Sequence, residues 1–395
     1  MIYAFGPTPN GYPVSGLVAD AAGNLYGTTY GNGRACPYSC GDVFELKPST
    51  KGGFKYKVLH TFTEGNGDGI YPQGTLALDA DGNLYRTTTS GGDGTACLYG
   101  CGTVYELSPT AAGTWNETIL YSFKGGNDGA APESGVILDN AGNLYGVTNG
   151  GGAGAPDPVG VGTVFELNPV AGGWDESILH AFVYDSGDGQ SPWGLTFDAS
   201  GNLWGVTAFG GNLTACLFSG CGTVYELIAQ ENWKENIVYD FLYGDDGYQP
   251  VGTLVFDSAG NAYGTAWLGG GASDDGIVFE MIPSADGTWT EQILHAFSGS
   301  PDGARPFSGL TLDQAGNLYG TTEGGGATCG CGTVFEMSPA SGGGWTESIV
   351  HNFQVTTSDG RFPMGNVILG SRGQLYGTTN LGGQKRAGTV YEILP

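Results

Sequence analysis

Variants of Gly-Asn-Leu-Tyr-Gly recur seven times along this chain, around Asn24, Asn83, Asn143, Asn202, Asn261, Asn317 and Gln374, at spacings of 59, 60, 59, 59, 56 and 57 residues. A near-constant period of this size marks a repeat array, in which each unit needs its neighbours to bury an apolar face. It displaces the two or three unrelated domains that a length of 395 residues would otherwise suggest.

Each unit reads as four short strands. In the third, residues 135–139 form an apolar run and residues 139–143 a turn, with Asp139 at its start and Gly142 free to take a positive φ. Residues 144–148 and 162–167 read as the next two strands, and residues 174–182 alternate as a fourth. Four sequential antiparallel strands per unit predict an all-β, seven-bladed β-propeller spanning residues 1–395 with a period of about 58 residues. The first strand, nearly all apolar, is expected innermost; the fourth, charged on alternate positions, is expected outermost and half wetted. Residues 2–5 match the end of a fourth strand and residues 388–393 match a third. Residues 1–6 are therefore expected to complete the last blade, which closes the ring and removes an open sheet edge.

Composition narrows the class. Gly supplies 75 residues, yet aromatics reach 12%, a pairing that fits tight turns around a packed core and not disorder. No apolar run approaches the ~18–20 residues of a membrane span, so no membrane insertion is expected. A net charge of -26 with 13 Lys and Arg excludes nucleic acid, which needs clustered basic side chains, and favours a soluble monomer.

The eight cysteines fall into the pairs Cys36/Cys40, Cys97/Cys101, Cys216/Cys221 and Cys329/Cys331, each at the same point of its repeat. Local disulfides pinning long loops are the leading reading and place the protein in an oxidising, extracytoplasmic compartment. A metal site is the weaker rival, because two ligands with no paired His fall short of the four that structural zinc takes. The one-residue spacer leaves Cys329/Cys331 undecided. Met1 followed at once by a strand-like segment is consistent with a leader removed upstream.

The combined pattern Asp-Gly-x-x-Pro-x-x-Gly-Leu, Asp-x-x-Gly-Asn-Leu-Tyr-Gly-Thr-Thr and Gly-Thr-Val-Phe-Glu-Leu, which covers essentially the whole chain, resembles the Gloeo/Verruco (GloVer) repeat of extracellular bacterial proteins. The resemblance implies a secreted or surface-exposed propeller and no particular reaction; the fold hosts lectins, lyases, hydrolases and scaffolds alike.

Residues repeated in every unit read as architecture, since a ligand seldom meets seven equivalent positions. That covers the third-strand Glu series from Glu45 to Glu392 and the turn Asp series from Asp20 to Asp313. His60, His180, His295 and His351 share one outer-strand slot with Tyr3, Tyr121 and Tyr239, which reads as packing with a polar tip. The Asp-Gly pairs, from Asn10 and Asp68 to Asp359, read as turns. Calcium is the alternative cofactor, with the doubled acids Asp245, Asp246, Asp274 and Asp275 as its candidate ligands.

Function is sought where the units differ on one face. One variable ring, after Pro, reads Val14, Gln73, Glu133, Trp193, Val251, Phe307 and Met364; a second reads Tyr30, Thr89, Asn149, Ala208, Trp267, Glu323 and Asn380. Rim aromatics Tyr12, Tyr30, Tyr71, Trp193, Tyr248, Trp267, Phe307 and Phe362 suit stacking against a sugar ring. Seven basic residues are also placed on the rim: Arg34, Arg86, Lys124, Arg305, Arg361, Lys385 and Arg386. Arg86 stands out because it replaces the Gly found there in every other unit, and forked basic groups suit an acidic sugar. The primary expectation is thus binding of an extracellular glycan, with an acidic one in view, by Tyr12, Tyr30, Tyr71, Arg86, Asn149, Trp193, Tyr248, Trp267, Arg305, Phe307, Glu323, Arg361 and Asn380. A polysaccharide-active enzyme is the second, either a glycoside hydrolase on Glu133 and Glu323 or a uronate lyase on Tyr30 and Tyr71 with Arg86 or Arg361. A protein-binding surface scaffold is the third.

Overall fold

The structure is a computed structural model that describes residues 1–6, 11–31, 40–63, 65, 67–152, 160–184, 187–216 and 219–394. The described residues form seven four-stranded antiparallel sheets in a ring, a β-propeller, with three 3-10 turns and no α-helix among them. The first blade comprises Val18–Ala19, Leu25–Thr29, Asp42–Pro48 and Phe54–Thr61; the third comprises Ile137–Leu138, Leu144–Thr148, Thr163–Val170 and Gly173–Ala181. The seventh is composite. Tyr3–Ala4 forms its outer strand, pairing Tyr3 with Val390 and Ala4 with Thr389, outside Thr389–Ile393, Leu375–Thr379 and Ile368–Leu369. The expected clasp is there.

Turns follow from local chemistry. Asp20 Oδ1 accepts the Ala22 and Asn24 amides, both at 2.9 Å, while Oδ2 accepts Asn24 Nδ2 at 2.6 Å and the Tyr26 hydroxyl at 3.1 Å. Asp79, Asp139, Asp198, Asp257 and Asp313 do the same. One side chain thereby fixes the hairpin between the first two strands and anchors the aromatic that follows. The seventh unit has Gly370 instead, and Gln374 takes over, accepting the Arg372 amide and donating to the Tyr376 hydroxyl.

The core lies between neighbouring blades, not within one. The second strands are the buried ones, as in Leu25–Thr29 and Leu144–Thr148, where every residue is buried. The first strands are innermost, as expected, and line the axis; those of blades one and three are two residues long and only partly buried. A phenylalanine ends each outer strand, and Phe5, Phe62, Phe123, Phe182, Phe241 and Phe297 are all 0% exposed. Phe5 packs with Leu17, Leu25, Phe44, Leu46, Ala387 and Val390, so the clasp fills its share of that core.

Blades abut through a repeated contact. A β-carbon on Gly222 (φ +96°) would meet Thr207 O at 2.3 Å and Pro250 Cδ at 2.6 Å, and Gly41, Gly102, Gly162, Gly276, Gly332 and Gly388 face the next blade's proline likewise. The residue before each of those prolines is left-handed: Tyr12, Tyr71, Ala131, Ser191, Gln249, Arg305 and Phe362 have φ between 51° and 66°. Proline normally drives its predecessor to extended backbone, so each site stores strain of about 1–3 kcal/mol. Hydrogen bonds hold it in place. The Tyr71 amide donates to Cys40 O of the previous blade at 3.0 Å, and Tyr71 O accepts the Thr89 amide at 3.1 Å.

Candidate functional site

The inner strands enclose an axial channel of ≈ 850 Å³, to which all seven blades contribute. Its size suits a small-molecule or oligomer site, which typically runs ~300–1,000 Å³. Six of the seven residues of the first variable ring line it, from Val14 and Gln73 through Glu133, Trp193 and Phe307 to Met364; Val251 is buried instead. Tyr30 and Asn380 join them from the second ring.

The mouth has two unlike sides. On one, Phe307 meets the edge of Trp193 at 5.5 Å between centroids and that of Trp267 at 6.1 Å, so three blades share an aromatic wall. The Trp267 Nε1–H is buried with no hydrogen-bond partner. On the other, Tyr30 stacks on Tyr71 at 4.9 Å and 17° between planes. Glu133 Oε2 accepts the Asn149 amide nitrogen at 2.6 Å, leaving Asn149 Oδ1 buried and unpartnered. Burial pushes the Glu133 carboxyl up from its ordinary range, and the Asn149 hydrogen bond only partly offsets this. Tyr30 is raised too, by burial first and then by Tyr71 and Glu133. Among the described residues lining the channel, Glu133 is the single charged side chain.

Other predicted residues lie elsewhere. Arg86 is not on the rim: it is 0% exposed, one layer behind the lining, because the Gly it replaces points into the packed face. Its Nε donates to Gln73 O at 2.6 Å and its Nη1 to Thr28 Oγ1, while Nη2 is buried without a partner. Burial lowers its guanidinium pKa to about 9. Neither Glu323 nor Arg361 nor Arg305 lines the channel. Arg305 is exposed, and its charge partly offsets the upward push that burial gives Asp275; Arg361 sits over the Phe362 ring at 5.7 Å. Tyr248 donates to Asp274 Oδ2 at 3.0 Å, and Tyr12 packs in the clasp core. Glu133 thus has no Glu323 beside it in the channel lining, and the proposed lyase set of Tyr30, Tyr71 and Arg86 is split by the inner strands.

Three lining residues escaped the sequence reading. Units two, five and seven carry one extra residue between the inner-strand Gly and the turn, and Thr75, Thr253 and Asn366 line the channel there. Thr75 Oγ1 and Asn366 Oδ1 lie 3.3 Å apart. A count of residues from Gly74 to Asp79 against Gly135 to Asp139 carries that signal.

Disulfides join Cys97 to Cys101, Cys216 to Cys221 and Cys329 to Cys331; Cys40 is also disulfide-bonded, and Cys36, Arg34 and Asn10 lie outside the described residues. The carbonyls of Cys40, Cys101, Cys221 and Cys331 all accept the strained amide of the next blade, so each bridge braces a rim contact. Beside the mouth, a groove of ≈ 670 Å³ runs from Cys97–Cys101 to Asn149, with Leu98 and Tyr99 exposed at its edge.

The calcium candidates do not converge. Asp246 accepts Tyr239 Oη at 2.5 Å and the Leu242 amide at 2.6 Å, and Asp274 accepts the Gly269 amide at 2.9 Å. Among the described residues the groups that do converge are His60/Asp68/Glu117, His180/Asp188/Glu235 and His295/Asp302/Glu347, each with ligand atoms within 4.8 Å of one another.

Residues 92–329 and again 216–395 match the family model described as the Gloeobacter/Verrucomicrobia repeat. No curated protein matches the chain. Among solved structures, a periplasmic gluconolactonase of Pseudomonas aeruginosa is similar at a TM-score of 0.53 and 14% identity, over 89% of this chain and 92% of that one. A luciferin-regenerating enzyme gives 0.45 at 16% identity, over 82% and 91% of the two chains. PorZ, a surface component of the type-IX secretion system of Porphyromonas gingivalis, gives 0.48 at 13%, over 90% and 43%. At such identities the gluconolactonase likeness is one of fold.

Proposed function

Since this chain belongs to the Gloeobacter/Verrucomicrobia repeat family, we propose that it is a secreted propeller whose axial mouth binds extracellular glycan, and neutral glycan in preference to acidic. The observation that carries the reading is the composition of the lining: aromatic faces on both sides of a channel in which Glu133 is the single charged side chain among the described residues. Flat rings stack on a pyranose while Gln73, Asn366 and Asn380, polar side chains of the lining, serve its hydroxyls. A uronate or sulfate would meet Glu133 and a net charge of -26, with Arg86 sealed behind the wall. One carboxylate without a second beside it supports retention over hydrolysis, which uses two. The disulfides fit an oxidising compartment.

The test is a glycan array followed by titration calorimetry on the retained class. Trp193→Ala and Trp267→Ala should each weaken binding more than tenfold, a change of about 1.4 kcal/mol or more. Undiminished affinity in both variants, or no retained glycan at all, would sink the proposal. Release of reducing ends by the wild type would move it to the enzyme reading.

A further inference from the structure

Outside the channel, the outer surface repeats a second arrangement at the blade seams. After a β-bulge in six of the outer strands, as between Val43 and Phe44 in the pairing with residues 54–61, the next residue is His or Tyr. It faces the Asp of the Asp-Gly loop and, across the seam, a Glu on the next blade's outer strand. Tyr121 and Tyr239 settle their seams by donating directly to Asp128 and Asp246. In three of the histidine seams one imidazole meets two carboxylates at once. His60 Nε2 lies 3.9 Å from Asp68 Oδ1 and 3.5 Å from Glu117 Oε1, and all three atoms are buried with no hydrogen-bond partner. His180 Nε2 is hydrogen-bonded to Asp188 Oδ2 at 3.3 Å and lies 3.5 Å from Glu235 Oε1, and His295 Nε2 is hydrogen-bonded to Asp302 Oδ2 at 3.1 Å with Glu347 alongside.

We propose that these three seams are binding sites for a divalent cation of the zinc type, which staples blade one to two, three to four and five to six. The convergence of one imidazole and two carboxylates carries it. A charge-assisted N–H···O bond closes to about 2.7–2.9 Å. Ligands about 2.0–2.2 Å from a tetrahedral zinc stand roughly 3.4 Å apart, and the imidazole-to-carboxylate distances in the His60 and His180 seams run from 3.3 to 3.9 Å. One imidazole and two carboxylates suit zinc, with a fourth position left for water. The ligands are held in advance. Each imidazole is braced edge-on by a buried ring, Phe62 at 4.7 Å, Phe182 at 4.7 Å and Phe297 at 4.8 Å. Asp68 Oδ2 accepts the Thr63 amide at 2.8 Å and hydroxyl at 3.0 Å, leaving Oδ1 to the seam. Such outer contacts orient metal ligands. Asp42, 1% exposed and paired in register with Thr61 beside His60, adds a further acid near the first site. His351 meets Asp359 at 3.2 Å without a Glu in its cluster, so it serves as an internal control.

The experiment is calorimetric titration of the chelator-stripped full chain with zinc chloride, with cobalt(II) absorption as the spectroscopic readout. Three equivalents are expected. His60→Tyr, which copies the natural second and fourth seams, and Glu117→Gln should each lower the count to two. The triple variant His60→Tyr, His180→Tyr, His295→Tyr should take none, and His351→Tyr should leave three. Folded wild-type protein that takes up no zinc, or single variants that leave the stoichiometry unchanged, would overturn the proposal.

Discussion

Replacing Phe5 with Ala tests the closure of the ring. Phe5 is 0% exposed and meets Phe44 at 5.1 Å, Tyr56 at 5.9 Å and Tyr3 at 4.9 Å between ring centroids. Its amide donates to Gly388 O at 2.9 Å, so the ring it carries is fixed by the strand pairing that closes the propeller. Deleting a fully buried phenylalanine ring costs about 3–5 kcal/mol, the lost transfer energy plus the cavity left behind. Each edge-to-face contact within that total is worth about 0.5–1.5 kcal/mol. Phe182 occupies the same slot in an internal blade, equally buried and at 5.3 Å from Tyr225, and supplies the reference. Urea unfolding followed by tryptophan fluorescence should therefore show Phe5→Ala and Phe182→Ala losing stability to within about 1 kcal/mol of each other. A loss below about 0.5 kcal/mol for Phe5→Ala, beside a full loss for Phe182→Ala, would mean that residues 1–6 lean on the ring without closing it.

Two further predictions concern buried charge. Burial, then the neighbouring Asp128 or Asp246, pushes the Glu176 and Glu291 carboxyls up to about 7, against about 4.3 in the unfolded chain. The native state then holds protons the unfolded state has released, so this contribution is full below pH ~4.5 and is lost as pH rises through ~7, damped by partial exposure. The melting temperature should fall from pH 5 to pH 8, with a flatter slope in Glu176→Gln and Glu291→Gln; equal slopes would refute the assignment. Arg86→Met removes an unpaired buried guanidinium at similar volume and should leave stability at pH 7 unchanged or raise it by about 1–3 kcal/mol. A loss of that size by chemical unfolding would show that the guanidinium's two hydrogen bonds outweigh its burial.

Much of the architecture was legible because each blade is built from local signals. The Asp139–Asn143 turn depends on one side chain reaching two and four residues on, and the 144–148 strand follows where expected. The clasp was legible for a related reason: an array missing one strand at its end and carrying it at its start has one economical pairing. The channel mouth was half legible, since variation among repeats marked Tyr30, Glu133, Trp193 and Phe307 without showing which neighbours they meet. Arg86 misled, because a departure from a pattern does not say which face of the strand it departs on. The histidines do pack, each edge-on against a phenylalanine, but the meeting of His60 with Asp68 and Glu117 was not legible, because those two come from a loop and from another blade. Sequence by itself determined the period, the strands, the turns and the number of units, all set within a few residues of one another. Only the tertiary structure decided which side chains share the axis and which face each other across a seam, because those contacts join residues whose sequence separation carries no record of their distance.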